Sequence, residues 1–425
     1  MKKINLAVAS ALLAVASSAN AGISIPAGEW TVDIGGNVNA FYIHNSSNDN
    51  ADVRGGAANA EGQNGSSTSS VNTGLLPSWL GIGAKTRQND LDVAWTISFQ
   101  PGASSAHGLQ GGSGSEFRQA FLTFGDKSWG SIKIGKDLGL FGSNAILNDQ
   151  TLLGVGAQGI VGAKGGTTST LGRIGTGFLY ADFKGQINYT TPNFNGLSAT
   201  VGIAQPWGTV NLAGDDLSGA ASGNQKAPAF EGQVQYEWAG DVSGKVWAEF
   251  LTQKVDGIGA TAATKAGFVF SPVTGSTAVA AAAANPGEDE RATVWGVGAS
   301  VNVAGVGLVG YYYDGKGAGT TSFLGDGFTT KGKRRDSDGY YVQASYALPG
   351  IGTKLAASYG ESNLDDEAGD SPFLVKSNEM WVVGAYHPLT KHLNLVAEYS
   401  KVEAENQAGD DNKSDIISLG AIMFF

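Results

Sequence analysis

Leu91-Asp92-Val93-Ala94-Trp95-Thr96-Ile97-Ser98-Phe99 alternates without a break. Odd positions carry Leu, Val, Trp, Ile and Phe; even positions carry Asp, Ala, Thr and Ser. A β-strand sends these two sets to opposite faces, so the segment reads as a strand with one apolar face and one polar or small face. The same period of two runs from Leu393 to Tyr399 and from Gly232 to Trp238. An element of this kind needs an apolar medium on one side and a polar one on the other.

Composition agrees. Glycine supplies 64 of 425 residues, about twice its usual share of roughly 7%. That much glycine weakens helices and is tolerated in bent sheets. There are no cysteines and only 11 prolines, so neither a disulfide framework nor a Pro/Gly-rich disordered chain is expected. The net charge of −11 and a pI near 4.9 argue against a nucleic-acid partner, which would call for a basic patch. The chain opens with Met1-Lys2-Lys3, an apolar run from Ile4 to Ala16, and Ala19-Asn20-Ala21. This is the pattern of a cleaved secretory signal peptide over 1–21. Loss of Lys2 and Lys3 would take the charge of residues 22–425 to −13. No stretch beyond residue 21 is long and apolar enough for a membrane-spanning helix.

Strand-like runs are expected to start near 29, 74, 91, 116, 130, 181, 197, 229, 245, 292, 306, 338, 352, 376, 392 and 413. Short turn sequences such as Gln88-Asn89-Asp90, Ala304-Gly305 and Leu348-Pro349-Gly350 alternate with long polar connections, of which 138–175 is one. An even strand number, with short turns at one end and long loops at the other, describes a 16-stranded antiparallel transmembrane β-barrel. The C-terminus fits: Ile417, Leu419, Ala421, Met423 and Phe425 share one face, while Ser418 and Gly420 point the other way. A terminal aromatic suits the interfacial girdle of such a barrel. A large soluble β-sandwich would need both faces of every strand covered, against a face that is consistently polar.

Several segments resemble the trimeric general porins of Gram-negative bacteria. Glu116-Phe117-Arg118-Gln119-Ala120-Phe121-Leu122-Thr123-Phe124-Gly125 followed by Trp129-Gly130-Ser131-Ile132-Lys133-Ile134-Gly135-Lys136-Asp137 is similar to a central motif of that family. Asn188 to Leu197 and Tyr386 to Lys391 resemble two of its turns, in the family's order. Ser418, Gly420, Met423 and Phe425 are similar to the C-terminal assembly signal of outer-membrane barrels. The resemblance spans residues 22–425. It implies an outer-membrane location, a homotrimer, and a water-filled channel for small hydrophilic solutes. It also implies contact with outer-membrane lipid, lipopolysaccharide and the barrel-assembly machinery, with no cofactor. It implies further that the third long loop folds inward. The sequence from Leu138 to Gly156 is more apolar than an exposed loop requires, which supports infolding independently.

For the narrowing that such a loop makes, the expected wall cations are Arg118, Lys133 and Lys136, and the expected carboxylates are Asp149 and Asp137. Phe117 and Phe121 are expected to face outward, with Arg118 and Ala120 inward. Ion pairs that merely anchor the loop are the competing reading for each charged residue. One departure stands out: Trp79 and Gly83 occupy the places of an arginine and a lysine in the family's pattern. With two wall cations missing, weak cation preference or none is expected, and Trp79 becomes a stacking surface for a sugar or an aromatic solute. A solute-specific outer-membrane channel, for sugar or aromatic acid uptake, is therefore the alternative function. The four histidines show no convergent Ser/His/acid set, and no HExxH zinc motif occurs, so an enzyme is not expected.

Overall fold

The computed structural model describes residues 22–48, 51–58, 67–103, 115–158, 168–209, 225–260, 267–271, 275–279 and 285–425. The expected leader at 1–21 lies outside them. Sixteen antiparallel staves close into a barrel. Their starts fall within a few residues of those read from the sequence, for example Leu91–Pro101, Gly130–Leu138, Leu197–Ala204 and Ala229–Trp238. Two staves are interrupted. Ser67–Asn72 and Trp79–Gln88 both pair with Trp30–Asn48, and Ser115–Glu116 and Ala120–Asp126 both pair with Leu91–Pro101. The turn positions behave as their residue types require: Asn89 and Asp90 take positive φ of 49° and 63° between two staves.

Closure joins the two ends of the described chain. Trp30–Asn48 pairs with the last strand, Asp411–Phe424, from Asn37 opposite Phe424 to Asn48 opposite Lys413. Where that strand stops, Gly22–Ala27 takes over the same edge, pairing from Gly22 opposite Gly35 to Ala27 opposite Trp30. Phe425 exchanges backbone hydrogen bonds with Gly36 (2.9 and 3.0 Å). The terminal residues thus leave no open edge, which lipid could not solvate. Gly420 is needed for close approach: a Cβ there would lie 2.3 Å from the Ala40 carbonyl oxygen and 2.5 Å from Phe41 Cδ1. Ser418 is buried on the inner face, while Ile417, Leu419 and Met423 are exposed on the outer one.

The outer face is apolar at alternate positions, as at Ile97, Leu122, Ile134, Val201, Phe250 and Val342. Aromatic pairs mark its two margins. Trp295–Tyr312, Tyr340–Tyr359 and Trp381–Tyr399 lie toward the long-loop end. Phe124–Trp129 and Tyr236–Trp238 lie by the short turns. These are the two girdles of a membrane barrel.

The inner face is not uniformly polar. Thr96, Ser98, Gln100, Gln186 and Asn188 face inward on one side of the lumen. On the other side Trp247, Tyr311, Tyr313, Tyr341, Tyr386 and Met380 do so, and these are buried. Loop 3, described over 139–158 and 168–182 between Gly130–Leu138 and Phe183–Thr190, packs into the lumen through Phe141, Ile146, Phe178 and Leu179 and joins these wall side chains in one buried cluster, to which Phe323, Leu324 and Phe328 of a second long loop also belong. The infolding expected from the apolar composition is thus the architecture observed.

Candidate functional site

Loop 3 is strapped to the wall on either side of its helical portion by inward carboxylates. Its helical portion runs Ser143–Asn148 and then Gln150–Leu153 as a 3₁₀ turn. Before the helix, Glu231 accepts from the Leu140 amide (2.6 Å), and Glu249 accepts from the Gly142 amide (2.9 Å) and the Tyr311 hydroxyl (2.7 Å). Beyond it, Glu398 accepts from the amides of Val155 (2.7 Å) and Gly156 (3.1 Å) and from Tyr386 (2.6 Å). In between, Gln343 Oε1 accepts from the Gln150 amide (2.7 Å), and Tyr341 donates to the Ala145 carbonyl (2.8 Å). A loop whose backbone cannot form a sheet ladder must find partners for its buried amides, and these wall side chains supply them. A Cβ at Gly154 would come 2.1 Å from Glu398 Oε1, so a larger residue there would push the strapping carboxylate aside.

At the centre sits Arg173, with no exposed surface. Its guanidinium lies 3.6 Å from Asp149, donates to the Met380 carbonyl (3.0 Å) and to Ser358, and stands over the Tyr341 ring. Asp149 also caps the 3₁₀ turn through the Thr151 amide. Asp149 therefore faces a partner inside its own loop, not the wall cations expected for it. Arg173 was missed by the sequence reading, as were Glu231, Glu249 and Glu398. Arg173 had one available signal, a basic residue in a long loop otherwise poor in charge.

The expected wall cations divide. Arg118 points inward, pairs with Glu116 (2.8 Å), donates to Thr168 and Ser169 (3.1 Å each), and stands over Phe183. It thereby anchors the far part of loop 3. Lys133 points inward and pairs with Asp137, which is buried on the wall and not in the loop. Asp137 also accepts from Gln119 (2.9 Å). Lys136 does not face the lumen. It shares the outer face with Ile134 and donates to the Phe117 carbonyl (2.8 Å).

Phe121 and Ala120 are reversed from expectation: Phe121 is buried inside under Lys133, and Ala120 is outside. Arg118 and Gln119 both turn inward, Arg118 with its amide on Gln100 Oε1 (2.9 Å) and Gln119 with its side chain on Asp137. Two successive inward residues shift the alternation by one for everything that follows. Phe117, before the irregularity, faces outward as expected.

Trp79 faces inward and is 6% exposed. Its ring lies over Gly81, where a Cβ would fall 2.4 Å from Cζ2. It lines a cavity of about 370 Å³ between the wall and loop 3. Gln100 and Arg118 contribute from the wall, and Leu147, Leu152 and Leu171 from the loop. This cavity beside loop 3 is thus an apolar slot, with Glu116, Arg118 and Asp182 as its charged lining among the described residues.

A closed barrel with girdles, an infolded third loop and a narrowed lumen defines an outer-membrane channel. The Gram-negative porin family model matches residues 7–367, and the chain belongs to that family and to the outer membrane. Among solved structures, the fold is similar to the outer membrane channel DcaP of Acinetobacter baumannii, at TM-score 0.65 and 15% identity, covering 95% of this chain and 100% of that one. It is also similar to OmpT of Vibrio cholerae (TM-score 0.57, 14% identity, 95% and 100% covered). Salmonella typhi OmpF in complex with daunomycin gives TM-score 0.57 at 17% identity, with 95% and 100% covered. At these identities the likeness concerns the fold. No curated protein sequence matches.

Proposed function

We propose that the chain is a passive diffusion channel for small hydrophilic solutes and ions, with weak cation preference or none, and that it has no enzymatic activity. One observation carries this reading. Most cations on or beside the lumen are engaged by carboxylates: Arg118 with Glu116, Lys133 with Asp137, Lys184 with Glu231 and Arg173 with Asp149, while inward Lys354 stands over the Tyr386 ring. A wall so compensated offers little net positive field to attract anions, and the chain's overall charge is negative. The working unit in this reading is a homotrimer, and a Vibrio cholerae neighbour is described in a trimer form. Residues 1–21 would be removed on export. Ser418, Gly420, Met423 and Phe425 would be read by the barrel-assembly machinery, and lipid and lipopolysaccharide would surround the girdles.

The test is the zero-current potential across a KCl gradient in a planar bilayer. A small cation-sided or null potential is expected, with closures in steps of three. A strongly anion-sided potential would overturn the reading. A second reading, a channel selective for an aromatic or sugar solute, is favoured by the apolar slot against Trp79.

A further inference from the structure

We propose that residues 317–335, the connection between Val306–Lys316 and Asp336–Ala347, form a hinged lid over the long-loop mouth of the barrel, a second barrier in series with loop 3. The proposal rests on the channel reading and adds the segment that governs entry. A connection at this end of a barrel ordinarily lies in water. Here residues 317–329 are buried, apart from the half-buried Ser322. Phe323, Leu324 and Phe328 of this loop share one apolar cluster with Phe178 and Leu179 of loop 3.

The loop meets the rim at three separated places. The Phe323 ring lies 5.3 Å from the ring of Trp207, which follows Leu197–Ala204. The Thr321 carbonyl accepts from the Tyr180 amide of loop 3 (2.9 Å). At Gly55, which follows Trp30–Asn48, a Cβ would fall 2.8 Å from Asp326 Oδ2. A segment that reaches all three from its own staves crosses the mouth. An apolar crossing of that kind stops ions by excluding water.

Its hydrogen bonding suits movement as a unit. Loop 3 gives buried amides to wall side chains, whereas the lid gives them to itself. The amides of Leu324, Gly325, Thr329 and Arg335 donate to the carbonyls of Ala318 (2.8 Å), Ser322 (2.9 Å), Lys333 (2.9 Å) and Gly327 (2.9 Å). Outward rotation strands none of these amides. It gives up the Tyr180 hydrogen bond and the burial of the three apolar side chains, so the closed position is the resting one. The neck is one backbone hydrogen bond, from Gly317 to the Arg335 carbonyl (2.8 Å). Gly317 has φ 72° there, in the region that favours glycine. Arg335 braces the neck, donating to the carbonyls of Asp326 (2.7 Å) and Phe328 (2.9 Å) within the lid and to Asp370 outside it.

The chain has no cysteine, so an introduced pair has no competitor. Tyr180 and Ser322 face each other in a β-bridge; such partners lie about 5 Å apart, a span a disulfide can close. Tyr180→Cys with Ser322→Cys is reconstituted in a planar bilayer, with the disulfide scored by mass spectrometry. Oxidation is expected to lower the mean KCl conductance about threefold or more and to suppress brief openings. Dithiothreitol should restore both, and the two single variants should respond to neither treatment. Deletion of residues 320–326, which removes Phe323 and Leu324, should raise the conductance and quieten the current. Heat-modifiable migration on gels shows that each variant is folded.

A folded double variant that forms no disulfide would show that the lid is not seated on loop 3, and would overturn the proposal. A formed disulfide that leaves the current unchanged would overturn it too, even if the deletion enlarged the current, since the loop would then be a fixed rim. Unchanged current in the folded deletion variant would remove the second barrier. In all three cases KCl current is present and the channel reading stands. Absence of current from the unaltered protein, the reduced double variant and the deletion variant alike would overturn the channel reading as well.

Discussion

Replacing Glu398 with alanine isolates the strap that holds loop 3 just beyond its helical portion. The carboxylate accepts from two loop amides, Val155 and Gly156, and from the Tyr386 hydroxyl. All of these are buried, and alanine offers no acceptor. Each amide left buried and unpaired costs about 1–3 kcal/mol, so the pair costs about 2–6 kcal/mol. Charged to local opening of the loop, even the lower figure raises the open population about thirtyfold. Hydrogen exchange read by mass spectrometry on the folded barrel would follow peptides covering 151–158. They are expected to lose at least tenfold in protection. Peptides around Leu140 and Gly142, held by Glu231 and Glu249, should change little. Open-channel current noise should rise in parallel. Unchanged protection at Val155 and Gly156, with unchanged noise, would refute the view that wall carboxylates position this loop.

Other outcomes follow from the same geometry. Arg173→Ala leaves Asp149 buried without its cation, and should destabilise loop 3 by about 3–5 kcal/mol; the double variant Arg173→Met with Asp149→Leu should recover much of that, as protease resistance of folded barrel would show. Gly420→Val places atoms against the Ala40 carbonyl and Phe41, and should lower the folded fraction on heat-modifiability gels far more than Ser418→Ala does. In the long-loop region Arg335 clamps Asp370 through two contacts of 2.7 Å. Burial pushes the Asp370 carboxyl up, but Arg335 and the Glu367 amide outweigh it and hold it below its ordinary value. A carboxylate lowered on folding stabilises above its ordinary pKa, and that contribution is lost as pH falls through the folded value. Proteolysis of the loops around 326–335 and 365–374 should therefore be slow at neutral pH and accelerate well below pH 4 or so, and Asp370→Asn should flatten that dependence.

Sequence alone determined the barrel. Period-two alternation, as in Leu91 to Phe99, is a local property, and a strand repeats it wherever one face meets lipid. Turn residues such as Asn89 and Asp90 are equally local, and so the staves begin where their sequences say. The terminal Phe425 and the small Gly420 were legible for the same reason: each answers to its own strand. The apolar run after Leu138 announced a buried loop. The tertiary structure alone decided what that loop touches. Glu231 and Glu249 lie on consecutive staves and Glu398 on one far along the chain, and their common task appears only when the lumen is closed around loop 3. Arg173 finds Asp149 across 24 residues of loop. The inward turn of both Arg118 and Gln119 depends on Gln100 of the neighbouring stave and Asp137, so no pattern within 116–125 could reveal that Phe121 faces in. Alternation is written residue by residue, whereas the partners of a buried charge are set by what the closed barrel brings within hydrogen-bond reach.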